Sequence, residues 1–274
     1  MRIIEKYHQR VRQSESLLCV GLDSGLERIP AHFRDELTPQ FSFNRWLIEQ
    51  THAYACAFKL NLAFYEARGD QGWRELKLTM NYLQENCVDI LTIGDAKRAD
   101  IGSTNDGYVT ALFDWLGFDA VTLNPYLGGA ALRPFLSRAD RAAIILCHTS
   151  NPGADEFQGA LIDGQPLWYH VANRVQAHWN DNQNCMLVVG ATQPDVLRQV
   201  RARVGSMPIL VPGIGVQGGE LAAVLHNGLD TAGAGLIINA SRAIILSPDP
   251  GSTARDMRDT INQIRWGKTD GNTT

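Results

Sequence analysis

Several common catalytic and binding signatures are missing from this chain of 274 residues. It has no HExxH motif, no His/Cys/carboxylate cluster with metal-ligand spacing and no GxSxG turn, which argues against the usual zinc and serine-nucleophile sites. The seven histidines are scattered, and His148, at the end of an apolar run, is interpreted as a hydrogen-bonded structural residue. A net charge of -4 provides no general field for nucleic acid. Any anionic ligand must therefore be held by a local site.

Cysteine usage and hydropathy indicate a cytoplasmic protein. No apolar stretch reaches the length that spans a bilayer, and the first residues lack the apolar core of a signal peptide. The cysteines are odd in number and lack a CxxC pair, so they are interpreted as reduced, buried thiols. They lie at Cys19, Cys56, Cys87, Cys147 and Cys185. We therefore expect no membrane partner and no nucleic-acid partner.

Short apolar runs alternate with segments of helical periodicity along the chain. Eight runs have the composition of buried strands, at residues 17–20, 53–58, 90–93, 120–123, 143–147, 186–189, 208–211 and 235–238. Helical periodicity is found between most of them, at residues 73–83, 108–116, 167–179, 194–204 and 219–225. Near-continuous apolar strands separated by helices indicate parallel pairing, with helices outside.

Eight such units without a linker predict a single (β/α)8 TIM barrel over residues 1–266. A doubly wound parallel sheet is the alternative that this pattern leaves open. Residues 23–42 and 151–165 are rich in Gly, Pro and charge, so we expect extended loops there, at the C-terminal face of the barrel. The polar, glycine-containing residues 267–274 are predicted to be a disordered tail.

Polar residues follow nearly every predicted strand, and a barrel brings these strand ends to one mouth. Two acids, two lysines and an arginine would meet there, which packing alone does not explain because buried charges are costly unless paired. For Asp23 or Lys59 considered alone, a solvent-exposed charge in a loop is the alternative to a functional role. The polar residues are Asp23, Lys59 with Asn61, Asp95 with Lys97, Asn124, Thr149 with Ser150, Thr192, and Ser241 with Arg242.

The densest group of charges follows the third run, where Asp95, Lys97 and Asp100 form a DxKxxD pattern. Residues two apart on a strand point to the same face, so Asp95 and Lys97 are predicted to project together. Neighbouring carboxylates favour the charged form of an ammonium, and Lys97 therefore suits a cationic acid better than a Schiff-base nucleophile. A surface salt-bridge cluster is the alternative for this pattern alone.

A glycine-rich segment, VPGIGVQGG at residues 211–219, contains a formal GxGxxG match. A dinucleotide fold would place this motif early, within a βαβ unit. After the seventh strand of a barrel, the same glycines suit a phosphate site because backbone N–H groups can approach phosphate oxygens closely. Arg242 can add a bidentate contact to a phosphate, so the ligand is predicted to bind through a phosphate monoester group. A glycine-rich turn beside a surface arginine is the alternative.

The motifs, taken in order, resemble those of one enzyme family. They are GLD ending at Asp23, FKLN at 58–61 with AFYE at 63–66, DAKRADI at 95–101 with Thr104, TSNPGA at 149–154, VGAT at 189–192, PGIGVQGG at 212–219, and Ser241 with Arg242. This set is similar to orotidine 5'-phosphate decarboxylase, in its longer bacterial subgroup (type 2). DxKxxD is shared with related barrel enzymes, whereas its combination with FKxN and PGIGxQGG is highly specific.

The resemblance implies a lyase that converts orotidine 5'-monophosphate to UMP and CO₂ in pyrimidine biosynthesis, without metal or organic cofactor. Lys97 would stabilise charge at C6 and then protonate it, and Asp95 would lie near the departing carboxylate. Lys59, Asp95 and Asp100 would hold Lys97 in place and charged. Asp100, Ile101 and Thr104 would also reach into a neighbouring subunit's site, which implies a homodimer with shared active sites.

The remaining implied contacts are with the substrate. Asp23 and Lys59 would bind ribose hydroxyls, Ser150 would bind the pyrimidine edge, and Arg242 would clamp the phosphate. Gln217 would bridge base and phosphate as the strand-seven loop closes. The predicted set is completed by Asn61, Pro212, Gly215, Gly218 and Ser241.

Two other functions remain open at this stage. A hexulose-phosphate synthase-like or ketogulonate-phosphate decarboxylase-like barrel shares DxKxxD but uses magnesium and an acidic ligand at the second strand, where this chain has Lys59. A catalytically silent barrel that binds phosphate and acts as a regulator is the second alternative.

Overall fold

The computed structural model describes residues 2–214 and 218–267 of the chain. Eight parallel strands form the barrel: β1 (Leu18–Gly21), β2 (Ala57–Asn61), β3 (Leu91–Arg98), β4 (Ala120–Leu123), β5 (Ala142–His148), β6 (Cys185–Val189), β7 (Ile209–Val211) and β8 (Leu236–Ala240). They close into a ring in the spatial order β1-β8-β7-β6-β5-β4-β3-β2. The closed barrel confirms the predicted TIM-barrel class and excludes the doubly wound sheet.

Helices surround the barrel and bury one face each against it. Three helices begin with a proline, at Pro39, Pro194 and Pro250, where the missing backbone N–H costs no helical hydrogen bond. Among the described residues, no helix is long and apolar enough to cross a bilayer. The helices are α1 (Ile3–Ser14), α2 (Ala31–Arg34), α3 (Pro39–Thr51), α4 (Ala63–Glu66), α5 (Gly69–Asn86), α6 (Ser103–Val109), α7 (Gly128–Leu136), α8 (Leu167–Arg174), α9 (Pro194–Val204), α10 (Gly218–Gly228), α11 (Arg242–Ile245) and α12 (Pro250–Trp266).

The β5–α8 connection is the longest elaboration of the barrel mouth. It contains a short 3₁₀ turn at Ala154–Glu156 and a small antiparallel hairpin that pairs Leu161–Ile162 with Gln165–Pro166. This connection includes residues 151–165, one of the two segments predicted to be extended loops; the other, residues 23–42, contains α2 and the start of α3.

Two predicted strands have the wrong bounds. The second was predicted to begin at residue 53, but His52–Tyr54 form a 3₁₀ turn and β2 begins at Ala57. The third was predicted to end at residue 93, but β3 continues to Arg98. Hydrophobicity misplaces both ends because Ala53 and Tyr54 are apolar although their turn has no buried residue, whereas the final residues of β3 are polar and face the mouth. The predicted tail from residue 268 onward lies outside the described residues.

Candidate active site

The carboxyl ends of β1, β2 and β3 bring four charged side chains together. Lys59 Nζ lies 3.3 Å from Asp23 Oδ1 and 3.4 Å from Asp95 Oδ2. Lys97 Nζ lies 2.6 Å from Asp95 Oδ1. Strand register explains the arrangement, because Asp95 pairs with Asn61 and Gly21 pairs with Lys59 in neighbouring strands. The result is an alternating chain Asp23–Lys59–Asp95–Lys97, called here the charge chain.

Electrostatics keeps the interior of the charge chain ionised. Burial by itself lowers the pKa of Lys59, but the carboxylates of Asp23 and Asp95 outweigh burial, and the net pKa is raised. Burial likewise raises the pKa of Asp95, but the ammonium groups of Lys59 and Lys97 outweigh it and lower the pKa. Lys59 is therefore an ammonium and Asp95 a carboxylate at neutral pH.

Three strands fix the carboxylate of Asp23. Its Oδ2 accepts a hydrogen bond from Ser241 Oγ at 2.6 Å, and its Oδ1 accepts one from the backbone N–H of Asn61 at 3.3 Å. Gly21 allows this approach, since a Cβ at that position would lie 1.9 Å from Ser241 Oγ. The Asn61 side chain in turn accepts a hydrogen bond from Ala63 N at the start of α4.

Thr122 of β4 also joins the charge chain, and it was missed in the sequence analysis. Its Oγ1 donates to Asp95 Oδ1 at 2.9 Å and accepts from the backbone N–H of Lys97 at 3.0 Å. The sequence signal that could have identified Thr122 is that it is a lone polar residue in an apolar strand. It lies two positions before Asn124, so the two side chains are expected on the same face of the strand.

A cavity of about 450 Å³ opens beside the charge chain, within the usual range for small-molecule sites. One wall is charged or polar, and the opposite wall is apolar, an arrangement that strengthens electrostatic interactions inside the cavity. The polar wall contains Lys59, Asp95, Lys97 and Thr122, the apolar wall contains Leu146, Val188, Leu210 and Pro212, and the rim contains Thr149, Ser150, Asn151 and Gln158.

Side-chain hydrogen bonds hold the turn that carries Ser150. Thr149 N donates to Gln158 Oε1 at 2.8 Å, and Gln158 Nε2 donates to Thr149 Oγ1 at 3.0 Å. His148 is buried, with its Nε2 3.1 Å from Asp155 Oδ1. A Cβ on Gly190 would lie only 2.8 Å from Ser150 N, so a glycine is required where β6 passes this turn. The exposed Ser150 is thus held at the rim of the cavity.

Asp100 does not reach Lys97 of its own chain. Its Oδ1 accepts a hydrogen bond from Ile101 N at 2.7 Å, and no ion pair joins it to Lys97 within the described ranges. The side chain of Ile101 is 65 % exposed, and Thr104 is exposed at the start of α6. Asp100 is half-buried, and none of these three residues lines the cavity of its own chain.

The predicted phosphate-binding residues lie at the ends of β7 and β8. Pro212 lines the cavity, Gly218 begins α10, and the exposed Arg242 begins α11 directly after Ser241. The Arg242 side chain makes no hydrogen bond with the residues that the structure describes, while its backbone carbonyl accepts one from Leu246 N at 3.2 Å. The remaining two predicted contacts, Gly215 and Gln217, lie outside the described residues.

Comparison with known proteins agrees with this architecture. Residues 16–257 match the family described as Orotidine 5'-phosphate decarboxylase / HUMPS family. The chain is 44 % identical over 256 residues to orotidine 5'-phosphate decarboxylase of Herpetosiphon aurantiacus, with 93 % of each chain covered. It is 41 % identical over 265 residues to the enzyme of that name from a Janthinobacterium species, with 97 % of each covered.

The solved structures show the same relationship in three dimensions. The Leishmania donovani OMP decarboxylase superimposes with a TM-score of 0.87 at 38 % identity, covering 97 % of this chain and 99 % of that one. The fold, the order of the motifs and the near-complete coverage of the curated relatives therefore lead to one conclusion: this chain belongs to the orotidine 5'-phosphate decarboxylase / HUMPS family.

Proposed function

We propose that this chain is a cofactor-independent orotidine 5'-phosphate decarboxylase, which converts orotidine 5'-monophosphate to UMP and CO₂. The observation that carries the proposal is the charge chain, which ends at Lys97 beside a cavity with an apolar wall. The curated relatives have this name, and the chain matches them over nearly their whole length, which supports the same activity.

The chemical difficulty is the electron pair left on C6 of the pyrimidine, because no adjacent group delocalises it. The bond from C6 to the carboxylate breaks, CO₂ leaves, and the electron pair stays on C6. The Lys97 ammonium stabilises this charge more strongly than it stabilises the substrate, and then transfers a proton from Nζ to C6. Solvent returns a proton to Lys97 before the next turnover.

The other members of the charge chain orient Lys97 and bind the sugar. Asp95, 2.6 Å from Lys97 Nζ, holds the ammonium near the departing carboxylate. Asp23 and Lys59 contact the ribose hydroxyls, with Asn61 and Ser241 fixing Asp23. Together they hold the reacting carbon against its proton donor, which removes the entropic cost of bringing the two together in the transition state.

Groups around the rim bind the two ends of the nucleotide. Ser150 binds the pyrimidine edge, and Arg242 clamps the phosphate with the backbone that follows Pro212. The binding energy of this remote dianion is used to close the site around the ring. Gly215, Gln217 and Gly218 complete the phosphate contacts in this proposal.

The composition of the site supports decarboxylation without a metal. Lys59 Nζ lies between the carboxylates of Asp23 and Asp95, where its positive charge would repel a divalent cation. The magnesium-dependent barrel enzymes with a DxKxxD motif require an acid at the position of Lys59. Over residues 2–214 and 218–267, no group of three or more His, Cys, Asp or Glu side chains is arranged to hold a metal ion.

We further propose a cytoplasmic homodimer with shared active sites. Asp100 lies away from Lys97 of its own chain, beside the exposed Ile101 and Thr104. In the dimer, these three residues enter the neighbouring cavity, where the Asp100 carboxylate adds to the negative charge around Lys97. Five buried, unpaired cysteines fit a reducing compartment.

The decisive test is a spectrophotometric assay with orotidine 5'-monophosphate, in the presence and absence of excess EDTA. We expect the absorbance of the orotate ring to fall as UMP and CO₂ form in equal amounts, at the same rate with EDTA. Strict dependence on magnesium would instead favour the hexulose-phosphate synthase-like or ketogulonate-phosphate decarboxylase-like activity. Nucleotide binding without turnover would identify a silent regulatory barrel.

A further inference from the structure

Strand β3 is irregular at the point where its catalytic residues emerge. Gly94 pairs with Val121 and Arg98 pairs with Leu123, so the three residues Asp95 to Lys97 of β3 lie opposite the single residue Thr122 of β4. This is a bulge, which interrupts the backbone hydrogen bonds of the ladder. Lys97 has a φ of +48°, in the left-handed region that a non-glycine residue keeps only when surrounding contacts hold it there.

The Thr122 hydroxyl replaces the missing ladder contact. The backbone N–H of Lys97 can only donate, so Thr122 Oγ1 accepts from it at 3.0 Å. The single hydroxyl proton is then free to be donated to Asp95 Oδ1, which lies 2.9 Å away. The same carboxylate oxygen accepts from Lys97 Nζ at 2.6 Å. One buried hydroxyl thus fixes the backbone of the proton donor and the carboxylate that orients its ammonium.

A second contact holds the far side of the bulge without touching the reacting groups. Arg98 Nη1 donates to Ala96 O at 2.9 Å, and its guanidinium pairs with Glu66. This pair stabilises the chain after Lys97. It does not determine the orientation of the Asp95 carboxylate, whose hydrogen-bond donors among the described residues are Thr122, Lys59 and Lys97.

We propose that Thr122 is a positioning residue for the decarboxylation, which holds Asp95 and Lys97 in register with the substrate through its one hydroxyl group. The inference rests on the proposed function, and it adds a residue that acts through Asp95 and Lys97. Threonine suits this role because its β-branched side chain has few rotamers in a strand. Valine at this position would keep the shape and lose only the hydroxyl.

The test compares Thr122→Val and Thr122→Ser with the wild-type enzyme. We expect Thr122→Val to lower kcat about 10- to 100-fold, the effect of removing one charge-assisted hydrogen bond from the site. KM and the affinity for UMP should stay within about threefold of wild type, because ground-state contacts are kept. Thr122→Ser keeps the hydroxyl and should recover most of kcat.

A matched control separates positioning from general stability. Thr92, in β3, is likewise buried and has a hydroxyl that donates to a carboxylate, Asp119 Oδ2, and accepts from a backbone N–H, both at 3.0 Å. It lies at the opposite end of the barrel. Thr92→Val should therefore lower the unfolding midpoint as Thr122→Val does, with kcat unchanged.

The outcomes distinguish this inference from the proposed function. An inactive wild-type protein would overturn the proposed function itself. An active wild type with kcat within twofold in Thr122→Val would overturn only the role of Thr122. Equal losses of kcat in Thr122→Val and Thr92→Val, or no recovery in Thr122→Ser, would also overturn it, because a merely structural threonine predicts those results.

Discussion

Lys59 is the most deeply buried charge of the site, with a side chain only 4 % exposed. Its pKa is raised, so its favourable pairing is complete below the ordinary value of 10.5 and is lost only as pH rises through the raised value. The pKa of Asp95 is lowered, so its contribution is complete above the ordinary value of 3.8 and is lost as pH falls through the lowered value. The ion pair between Lys59 and Asp95 therefore stabilises the fold throughout the neutral pH range.

This linkage predicts the behaviour of Lys59→Ala. At pH 7 the variant leaves two partly buried carboxylates without their common cation, and we expect a loss of about 3 kcal/mol in the free energy of unfolding. The loss should shrink at acidic pH, because protonation of the Asp95 carboxyl removes the charge that Lys59 neutralises. Denaturant unfolding at pH 7 and pH 3 measures it.

The exposed pair of Arg45 and Glu49 provides the control for that experiment. Both side chains are 50 % exposed and the pair distance is 3.9 Å. Arg45→Ala should cost less than about 0.5 kcal/mol at either pH. A loss for Lys59→Ala of the same size at pH 3 and pH 7 would contradict the electrostatic explanation.

Lys97→Ala tests the assignment of the proton donor. Loss of the ammonium removes both charge stabilisation and protonation at C6, so kcat should fall by more than about 10³-fold. Binding of UMP, measured by calorimetry, should persist. Lys77→Ala, which removes a lysine from the outer helix α5, is the control and should keep wild-type activity. Substantial turnover in Lys97→Ala would exclude Lys97 as the donor.

Sequence reasoning located Asp95 and Lys97 but gave an incomplete geometric reason for their proximity. Simple strand alternation predicted a shared face, whereas a bulge and a left-handed residue produce the actual arrangement. A bulge depends on the register between two strands, which the local pattern of β3 does not encode. Thr122 was missed for the same reason, because its partners come from the neighbouring strand.

At the scale of elements, the contact between β1 and the loop after β8 closes the barrel beneath the site. Leu18 to Val20 pair with Ile238 to Ala240, β1 ends at Gly21, and Ser241 directly follows the last residue of β8. The absence of a side chain at Gly21 lets Ser241 reach Asp23. The closure of the barrel and the orientation of the ribose-binding acid therefore depend on one close approach.

Gly21→Ala is predicted to disturb both the closure of the barrel and the orientation of Asp23. The added Cβ would overlap Ser241 Oγ, and we expect a loss of about 1–3 kcal/mol in the free energy of unfolding, with weaker substrate binding as Asp23 shifts. A helical glycine with no atom within 4 Å of the added Cβ, Gly107, is the control. Gly107→Ala should stabilise the protein by about 0.5–1 kcal/mol. Unchanged stability and KM in Gly21→Ala would refute the close-approach argument.

Elements with strong local signals were the easiest to predict. Helix α9 has the predicted bounds, because Pro194 is favoured in a first turn and Gly205 follows the last residue. The second strand was misplaced because Ala53 and Tyr54 are apolar but lie in a 3₁₀ turn that has no buried residue. Hydrophobicity alone therefore reports neither the burial nor the backbone conformation of such a short turn.

For the whole molecule, the proposed dimer makes a quantitative prediction about mixed variants. Lys97→Ala and Asp100→Ala should each be nearly inactive alone. If each cavity combines Lys97 of one chain with Asp100 of the other, a heterodimer of the two variants has one intact cavity. Co-expression in equal amounts should then give about a quarter of wild-type activity. Activity no higher than that of the separate variants would rule out shared sites.

The overall architecture was predictable because eight strand-helix units recur without interruption. The homodimer is expected only from the family resemblance and not from the pattern of the chain itself, since assembly depends on surfaces whose partner is outside the chain. Large apolar side chains are exposed on the site-bearing half, including Ile101 at 65 %, Tyr126 at 86 % and Phe157 at 71 %. Exposed apolar groups of this size are typical of surfaces that bind another protein.

The five buried cysteines make the chain suitable for selective labelling. Burial raises the pKa of Cys56, Cys147 and Cys185 to about 12 and that of Cys87 to about 11, and Cys19 is also raised. Because the thiolate is the reactive form, all five should be nearly inert to maleimides at neutral pH. A single cysteine introduced at the exposed Gln71 of α5, outside the proposed site, could therefore carry a spin label, and the distance between two labels would report how two copies of the chain approach each other.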